Sequence, residues 1–380
     1  MKRTLFLFLW ACAPLLLAAA SGRAAPSAPF VTGADLSELP YYESAGVRYF
    51  DRGKEETLLR IAKQNHWKII RVRLWVNPSA DPKARVSDLG HVTALGKRIK
   101  AAGFEFLLDF HYSDTWADPG HQIKPAAWAD LPFPKLVQKV HDYSRDAVVH
   151  LSQNGARPDL VQIGNETRNG LLVGDVAHPG GGFWEPDKAG MKRAARLLAA
   201  GLAGVRDADP KRPPTTILHV PDGQDTGFIH WYFPALAEAA RTADPPVTLH
   251  YDMIGVSYYP GIPWDPKAGY DPWHLSHLTA SMNYIATVLH KPVMVVETSW
   301  PQASRATDIA GTPDIAGTPE FAFTPQGQVD FYAALIHAVR AVPDGLGRGV
   351  ILWEPDTLNW DSVFDAHGDA LPAVQTLGTQ

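Results

Sequence analysis

Eight short apolar runs punctuate the chain, and the segments between several of them show helical spacing. The runs are FVTGADL (30–36), IIRVRLW (69–75), FEFLLDF (104–110), DLVQIG (159–164), TTILHV (215–220), DMIGVS (252–257), VMVVE (293–297) and GVILWE (349–354). Near-continuous apolar character of this kind marks strands buried on both faces. Helical spacing is clearest in KEETLLRIAKQN (54–65), VTALGKRIKAAG (92–103), LVQKVHDYSRDAVVHL (136–151) and QVDFYAALIHAV (328–339). Strands alternating with helices predict a parallel sheet. Eight such units in 380 residues favour a closed (β/α)₈ barrel over an open doubly wound sheet. An open sheet would also want a Gly-rich phosphate turn after its first strand, and GADLSELPYY does not supply one. No interdomain linker interrupts the pattern, so residues 26–380 are read as one α/β barrel domain.

The ends of that domain carry two segments of different character. Residues 1–25 begin with Lys2 and Arg3, continue through an apolar stretch and end in small residues. That is the layout of a cleavable secretory signal peptide, with cleavage expected near Ala20 to Ala25. Cys12, the single cysteine, lies inside it, so the processed chain would have none; periplasmic or secreted localisation is expected. Near the other end, DIAGTPDIAGTP (308–319) repeats a six-residue unit. Two copies are too few for a solenoid, and the Gly and Pro content predicts an irregular loop after the seventh strand.

Charge narrows the partners. The formal net charge is −5, and loss of Lys2 and Arg3 would make the chain more acidic. No Lys/Arg cluster interleaves with aromatics, which argues against nucleic acid. Twelve Trp and twelve Tyr suit a neutral, stackable ligand such as a sugar chain, although most aromatics in any globular protein fill its core. No membrane association is expected after processing, and monomer is the default state.

A barrel of this class holds its active site at the C-terminal ends of its strands. Those ends carry Asp35; Arg71, Arg73 and Trp75; Asp109 and His111; Asn165 and Glu166; Tyr258 and Tyr259; Glu297; and Trp353 and Glu354. Glu166 and Glu297 follow strands four and seven and can converge across the barrel mouth. Two carboxylates facing one ligand are the equipment of glycoside hydrolysis, one protonated to assist the leaving oxygen and one ionised to attack or to activate water. Arg71 or Tyr258 beside Glu297 would keep it ionised, and Asn165 would hold a sugar 2-hydroxyl. Each has a plainer reading. A lone Glu after a strand usually caps a helix or solvates a loop, and a lone His111 is as well explained as a structural histidine. Arg73 reads as a rim ion-pair partner, and Asp109 as pointing into the barrel wall. Asp109, His111, Asp114, Asp118 and His121 raise the question of a divalent metal, but their spacing matches no defined metal motif.

Taken in order, GADLSELPYYESAG (33–46), RVRLWVNP (71–78), LLDFHYSDTWADPGHQIKPAAW (107–128), VQIGNET (161–167), DMIGVSYYP (252–260) and VVETSWP (295–301) resemble glycoside hydrolase family 53, the arabinogalactan endo-β-1,4-galactanases. The resemblance implies Glu166 as acid/base, Glu297 as nucleophile and retention at the anomeric carbon, with the two carboxyl groups about 5 Å apart. It implies Asn165, Arg71, His111, Tyr258 and Trp353 around the reacting ring, Trp116 as a further stacking surface, and β-1,4-galactan as substrate. No cofactor is expected. Some bacterial members hold calcium in the loop after strand seven, but Asp308 and Asp314, six apart in the duplication, do not resemble a compact calcium loop, so calcium is not expected. A related barrel hydrolase cutting mannan, xylan or β-glucan, and a non-catalytic carbohydrate-binding barrel, remain the alternatives.

Overall fold

The structure is a computed structural model that describes residues 29–174, 189–260, 274–303 and 320–378. The leader segment 1–25 and the DIAGTP duplication lie outside the described residues. Eight parallel strands close into a barrel: β1 (Val31–Asp35), β2 (Ile69–Leu74), β3 (Glu105–Phe110), β4 (Leu160–Ile163), β5 (Thr215–Val220), β6 (Met253–Ser257), β7 (Val293–Glu297) and β8 (Gly347–Leu352). Each pairs in parallel with its neighbour in sequence, and β8 closes the ring onto β1. Each overlaps one of the eight apolar runs, and the (β/α)₈ expectation holds.

The two faces of the barrel wall have different jobs. Val31, Ile69, Leu107, Leu160, Ile217, Met253, Met294, Val296 and Ile351 form a buried cluster drawn from all eight strands, a plug that fills the lower interior. Their outward neighbours, such as Ile70, Leu108, Val161, Leu218, Ile254 and Val295, belong to the larger core packed under the helices. Alternation along a strand therefore predicts which side chains stand above the plug: residues two further on point into the same interior. They are Arg71 above Ile69, Asp109 above Leu107, Gln162 above Leu160 and His219 above Ile217, all buried. Charge in this upper layer is tolerable only if mutually satisfied. Gly33 makes room for the plug on β1, since a Cβ there would lie 1.7 Å from the Ile69 carbonyl oxygen.

Two local readings are corrected. Residues 54–56 form one arm of a small antiparallel hairpin with Tyr49–Asp51, and the helix begins only at Leu58. The polar triplet Lys-Glu-Glu pairs across a turn and forms a strand before Thr57 starts the helix, which an averaged helical pattern hides. The other helices, Leu89–Ala101, Phe133–Gln153 and Pro325–Arg340, begin three residues before the stripe that announced them, and the first ends at Ala101, short of the expected Gly103. Capping accounts for two of these early starts: Asp88 accepts from the His91 N–H, and Thr324 from that of Gly327.

Candidate active site

A cavity of about 610 Å³ opens at the C-terminal ends of the strands. Arg71, His111, Trp116, Asn165, Glu166, Glu297 and Trp353 all line it, so seven of the eight expected side chains converge on one opening.

Arg71 is the hub. It is buried on β2, and its Nη1 donates to Asp35 Oδ2 at 2.8 Å. Its Nη2 lies 2.7 Å from Asp109 Oδ2, 2.8 Å from Asn165 Oδ1 and 2.7 Å from Glu297 Oε1. Burial alone would favour the neutral guanidine, but the charges of Asp109, Glu297 and Asp35 outweigh it and hold the proton more firmly than usual. Asp109 thus turns into the barrel interior; it is no wall residue.

Glu297 reaches the cavity through an irregularity. Between β6 and β7 the pairing advances one residue on β6, from Val256 to Ser257, while β7 advances two, from Val295 to Glu297. Such a bulge breaks strict alternation. Val296 can therefore join the plug while Glu297, its neighbour, still lines the opening. The second oxygen of Glu297, Oε2, accepts from the Tyr259 hydroxyl at 3.0 Å. Burial raises the Glu297 pKa above the usual carboxylate range, Arg71 pulls it back, Asp109 and Asp35 push it up again, and the Tyr259 hydrogen bond lowers it.

Glu166 is held differently. Its backbone sits in the left-handed region, φ 47° and ψ 53°, which costs a non-glycine residue about 1–3 kcal/mol and is typical of functional turns. Gly164, also at positive φ, leads into this turn. The half-buried side chain accepts from Ser257 Oγ at 2.6 Å through Oε1. Burial drives its pKa well above the ordinary value, the negative charge of Glu297 adds to that, and the Ser257 hydrogen bond opposes it.

Asn165 is fixed from both ends. Its Oδ1 accepts from Arg71, and its Nδ2 donates to the Ala117 carbonyl at 2.7 Å. An amide nitrogen has two hydrogens, which leaves one for a ligand. His111 is more committed: its Nδ1 accepts from the Ala117 N–H at 3.0 Å, and its Nε2 faces Asp109 Oδ2 at 3.0 Å. It offers the cavity a ring edge.

Aromatic rings form one side of the cavity. Trp116 is partly exposed, lies over the Arg73 guanidinium at 4.0 Å, and has Trp75 at 5.4 Å and Trp353 at 6.2 Å between ring centroids. Arg73 is buried beneath Trp116, where it pairs with Glu38 at 2.7 Å and with Glu354, so it supports the floor and does not sit on the rim. Burial pushes Glu354 up to about 7 against the pull of Arg73.

Tyr258 is the exception among the expected residues. It is buried, its ring stacks at 6.0 Å on Phe331 of the helix Pro325–Arg340, and it does not line the cavity. The neighbouring Tyr259 faces Glu297 instead. The motif SYYP names two adjacent tyrosines, and the phase of β6 decides which one turns inward: Tyr259 stands two residues beyond Ser257, in step with Met253 of the plug. The sequence reading also passed over Gln162, His219 and Ser257. Their signal was a single polar letter at every second position of an otherwise apolar strand.

The five residues that raised the metal question do not gather. Asp114 accepts from the backbone of Asn77 and Ala126, Asp118 pairs with His121 at the surface, and Asp109 serves Arg71. Among the described residues no group of three or more His, Cys, Asp or Glu is placed to hold a metal ion. Nor is any helix among them long and apolar enough to cross a membrane.

A (β/α)₈ barrel with two carboxylates, one buried and one half-buried, facing one aromatic-walled cavity is the architecture of barrel glycoside hydrolases. Comparison with known proteins makes the family definite: residues 31–377 match the model of glycosyl hydrolase family 53, and the chain belongs to that family. It is therefore a glycoside hydrolase. An arabinogalactan endo-β-1,4-galactanase of Cellvibrio japonicus is 36% identical over 96% of this chain and 95% of its own. A probable arabinogalactan endo-β-1,4-galactanase A of Aspergillus terreus is 36% identical over 85% of this chain and 84% of its own. A solved fungal β-1,4-galactanase superposes with a TM-score of 0.78 at 30% identity, covering 92% of this chain and 99% of that one.

Proposed function

We propose that this protein is an endo-acting β-1,4-galactanase that cuts the galactan side chains of type I arabinogalactan with retention at the anomeric carbon. The observation that carries the reading is the unequal treatment of two carboxylates on one cavity. Glu297, gripped by Arg71 and Tyr259, is suited to stay ionised and attack. Glu166, raised well above the usual range by burial and by the charge of Glu297, is suited to keep a proton for the leaving group. The likeness to relatives named as galactanases over nearly the whole chain supplies the substrate class.

The chemistry then runs in two displacements. Glu297 attacks the anomeric carbon as Glu166 protonates the glycosidic oxygen, so the C–O bond breaks while an ester to Glu297 forms. Glu166, now a carboxylate, takes a proton from water, whose oxygen displaces Glu297. Asn165 supplies its remaining amide hydrogen to the sugar 2-hydroxyl, while Trp116 and Trp353 offer faces for sugar stacking along the cavity. No step calls for a cofactor. The N-terminal leader supports export to the periplasm or the medium, with the working enzyme a monomer; the mature N-terminus read by sequencing, and the mass in solution by light scattering, test both.

Incubation with potato galactan, mannan, xylan and β-glucan, followed by chromatography, tests the substrate. Galacto-oligosaccharides of mixed length from galactan alone are expected. Cleavage of xylan or mannan in preference would replace the reading. Proton NMR of the first products should show the β-anomer before mutarotation, whereas initial α-product would mean inversion.

A further inference from the structure

Behind Glu166, away from the reacting sugar, lies a chain of hydrogen bonds made only of residues from the strand ends. Ser257 Oγ on β6 is 2.6 Å from Glu166 Oε1 and 2.9 Å from His219 Nε2 on β5. His219 and Ser257 are both buried. The other nitrogen of His219, Nδ1, receives the backbone N–H of Glu166 at 3.3 Å and faces Gln162 Nε2 at 2.9 Å. The Gln162 amide is oriented by Asp109, whose Oδ1 accepts from its Nε2. Nδ1 also lies 3.0 Å from Asn165 Oδ1, but that oxygen already accepts from Arg71 Nη2 at 2.8 Å and from Gln162 Nε2 at 3.1 Å, so Nδ1 is left to accept the Glu166 N–H.

We propose that His219 and Ser257 are positioning residues that fix which oxygen of Glu166 carries the catalytic proton. With Nδ1 occupied as an acceptor, the neutral imidazole holds its hydrogen on Nε2 and donates it to Ser257 Oγ. The serine has one hydrogen of its own, and the remaining partner is Glu166 Oε1. Oε1 is thus committed as an acceptor in both protonation states, and the acid proton resides on Oε2, the oxygen left for the glycosidic bond. The relay runs one way, from imidazole to hydroxyl to carboxyl. It also makes the turn self-consistent: the Glu166 N–H sets the tautomer of His219, and that tautomer sets the orientation of the Glu166 side chain. The left-handed backbone at Glu166 is what brings its N–H and its carboxyl to the same pair of strands.

The inference deepens the assignment of Glu166 as acid/base and rests on it. Other groups that act on Glu166 are Glu297 on β7, Tyr259 after β6, Asp222 after β5 with its partner Arg168, Asp118 after β3, and Arg71 of β2 acting through Asn165. Buried His219 is kept neutral by desolvation and by the charge of Arg71, so the relay supplies dipoles and not a cation.

Two measurements test it. Nitrogen-15 NMR of histidine-labelled wild-type protein, with the His219 signals assigned by their loss in His219→Gln, should show the Nε2–H tautomer throughout the active pH range; an Nδ1–H tautomer overturns the relay. Carbon-13 NMR of labelled glutamate should show the Glu166 titration in Ser257→Ala moved upward by about one pH unit, the size of a lost hydrogen bond to a charged group. The alkaline limb of kcat/KM on galactan should move with it. An unshifted Glu166 titration in a folded Ser257→Ala variant overturns the proposal. Neither NMR reading depends on galactan, so a wild-type enzyme that cuts another glycan would sink the substrate assignment and leave the relay standing.

Discussion

Around Glu297, β1, β2 and β3 contribute Asp35, Arg71 and Asp109, and one guanidinium ties them to the carboxylate. Around Glu166, β5 and β6 contribute His219 and Ser257, neutral groups that hold one oxygen by a single short hydrogen bond. Both carboxylates face the same cavity and both are penalised by burial. The difference lies in what each neighbourhood offers against that penalty: a full positive charge on one side, a hydroxyl dipole on the other. A charge–charge contact at low dielectric outweighs a dipole several-fold, which is why Glu166 rises further than Glu297. On the proposed reading, the two strand sets turn one residue type into two reagents.

The hardest blow to this asymmetry is removal of the charged partner's target. Glu297→Ala should lower kcat by about four orders of magnitude or more, as loss of a covalent nucleophile does, and azide should restore turnover with an α-galactosyl azide product. Glu166→Ala should lower kcat/KM on galactan by about 10²–10⁴ and much less on an aryl galactoside, whose leaving group needs no proton. Equal losses on both substrates would erase the division of roles. Tyr259→Phe comes next, at about tenfold to a hundredfold, from loss of a hydrogen bond to an ionised group. Because that bond lowers the Glu297 pKa, its removal should move the acidic limb of the pH profile upward. The sign follows from the proposed roles. Activity needs Glu297 ionised, so it fails as pH falls through the lower apparent pKa; it needs Glu166 protonated, so it fails as pH rises through the upper one. Both values belong to the coupled pair. The smallest effect is expected of Tyr258→Phe, under about twofold in kcat/KM, since that ring packs on Phe331 outside the cavity. A larger loss would reopen the choice between the two tyrosines.

Most of the barrel was legible in the order of residues, because buried parallel strands are continuous apolar runs that few other elements imitate. Arg71, Asn165, Glu166 and Glu297 were legible for a related reason: a charged or amide side chain at the end of such a run needs an explanation. What escaped notice was parity. Gln162 and His219 sit inside apolar strands at every-second positions, and only the three-dimensional plug beneath them shows that this phase points inward. Tyr259 escaped because choosing it over Tyr258 needs the phase of β6, which only the inward position of Met253 in the plug fixes. The hairpin at 49–56 was masked by a polar triplet equally at home in a helix.

The twisted main chain at residue 166 has a consequence for durability. An ordinary side chain resists that conformation and glycine does not, so the fold carries a standing mechanical load at this residue. Swapping Glu166 for glycine would relieve the load and also remove a carboxyl that prefers water, so the Glu166→Gly variant is expected to melt at a higher temperature than the wild type.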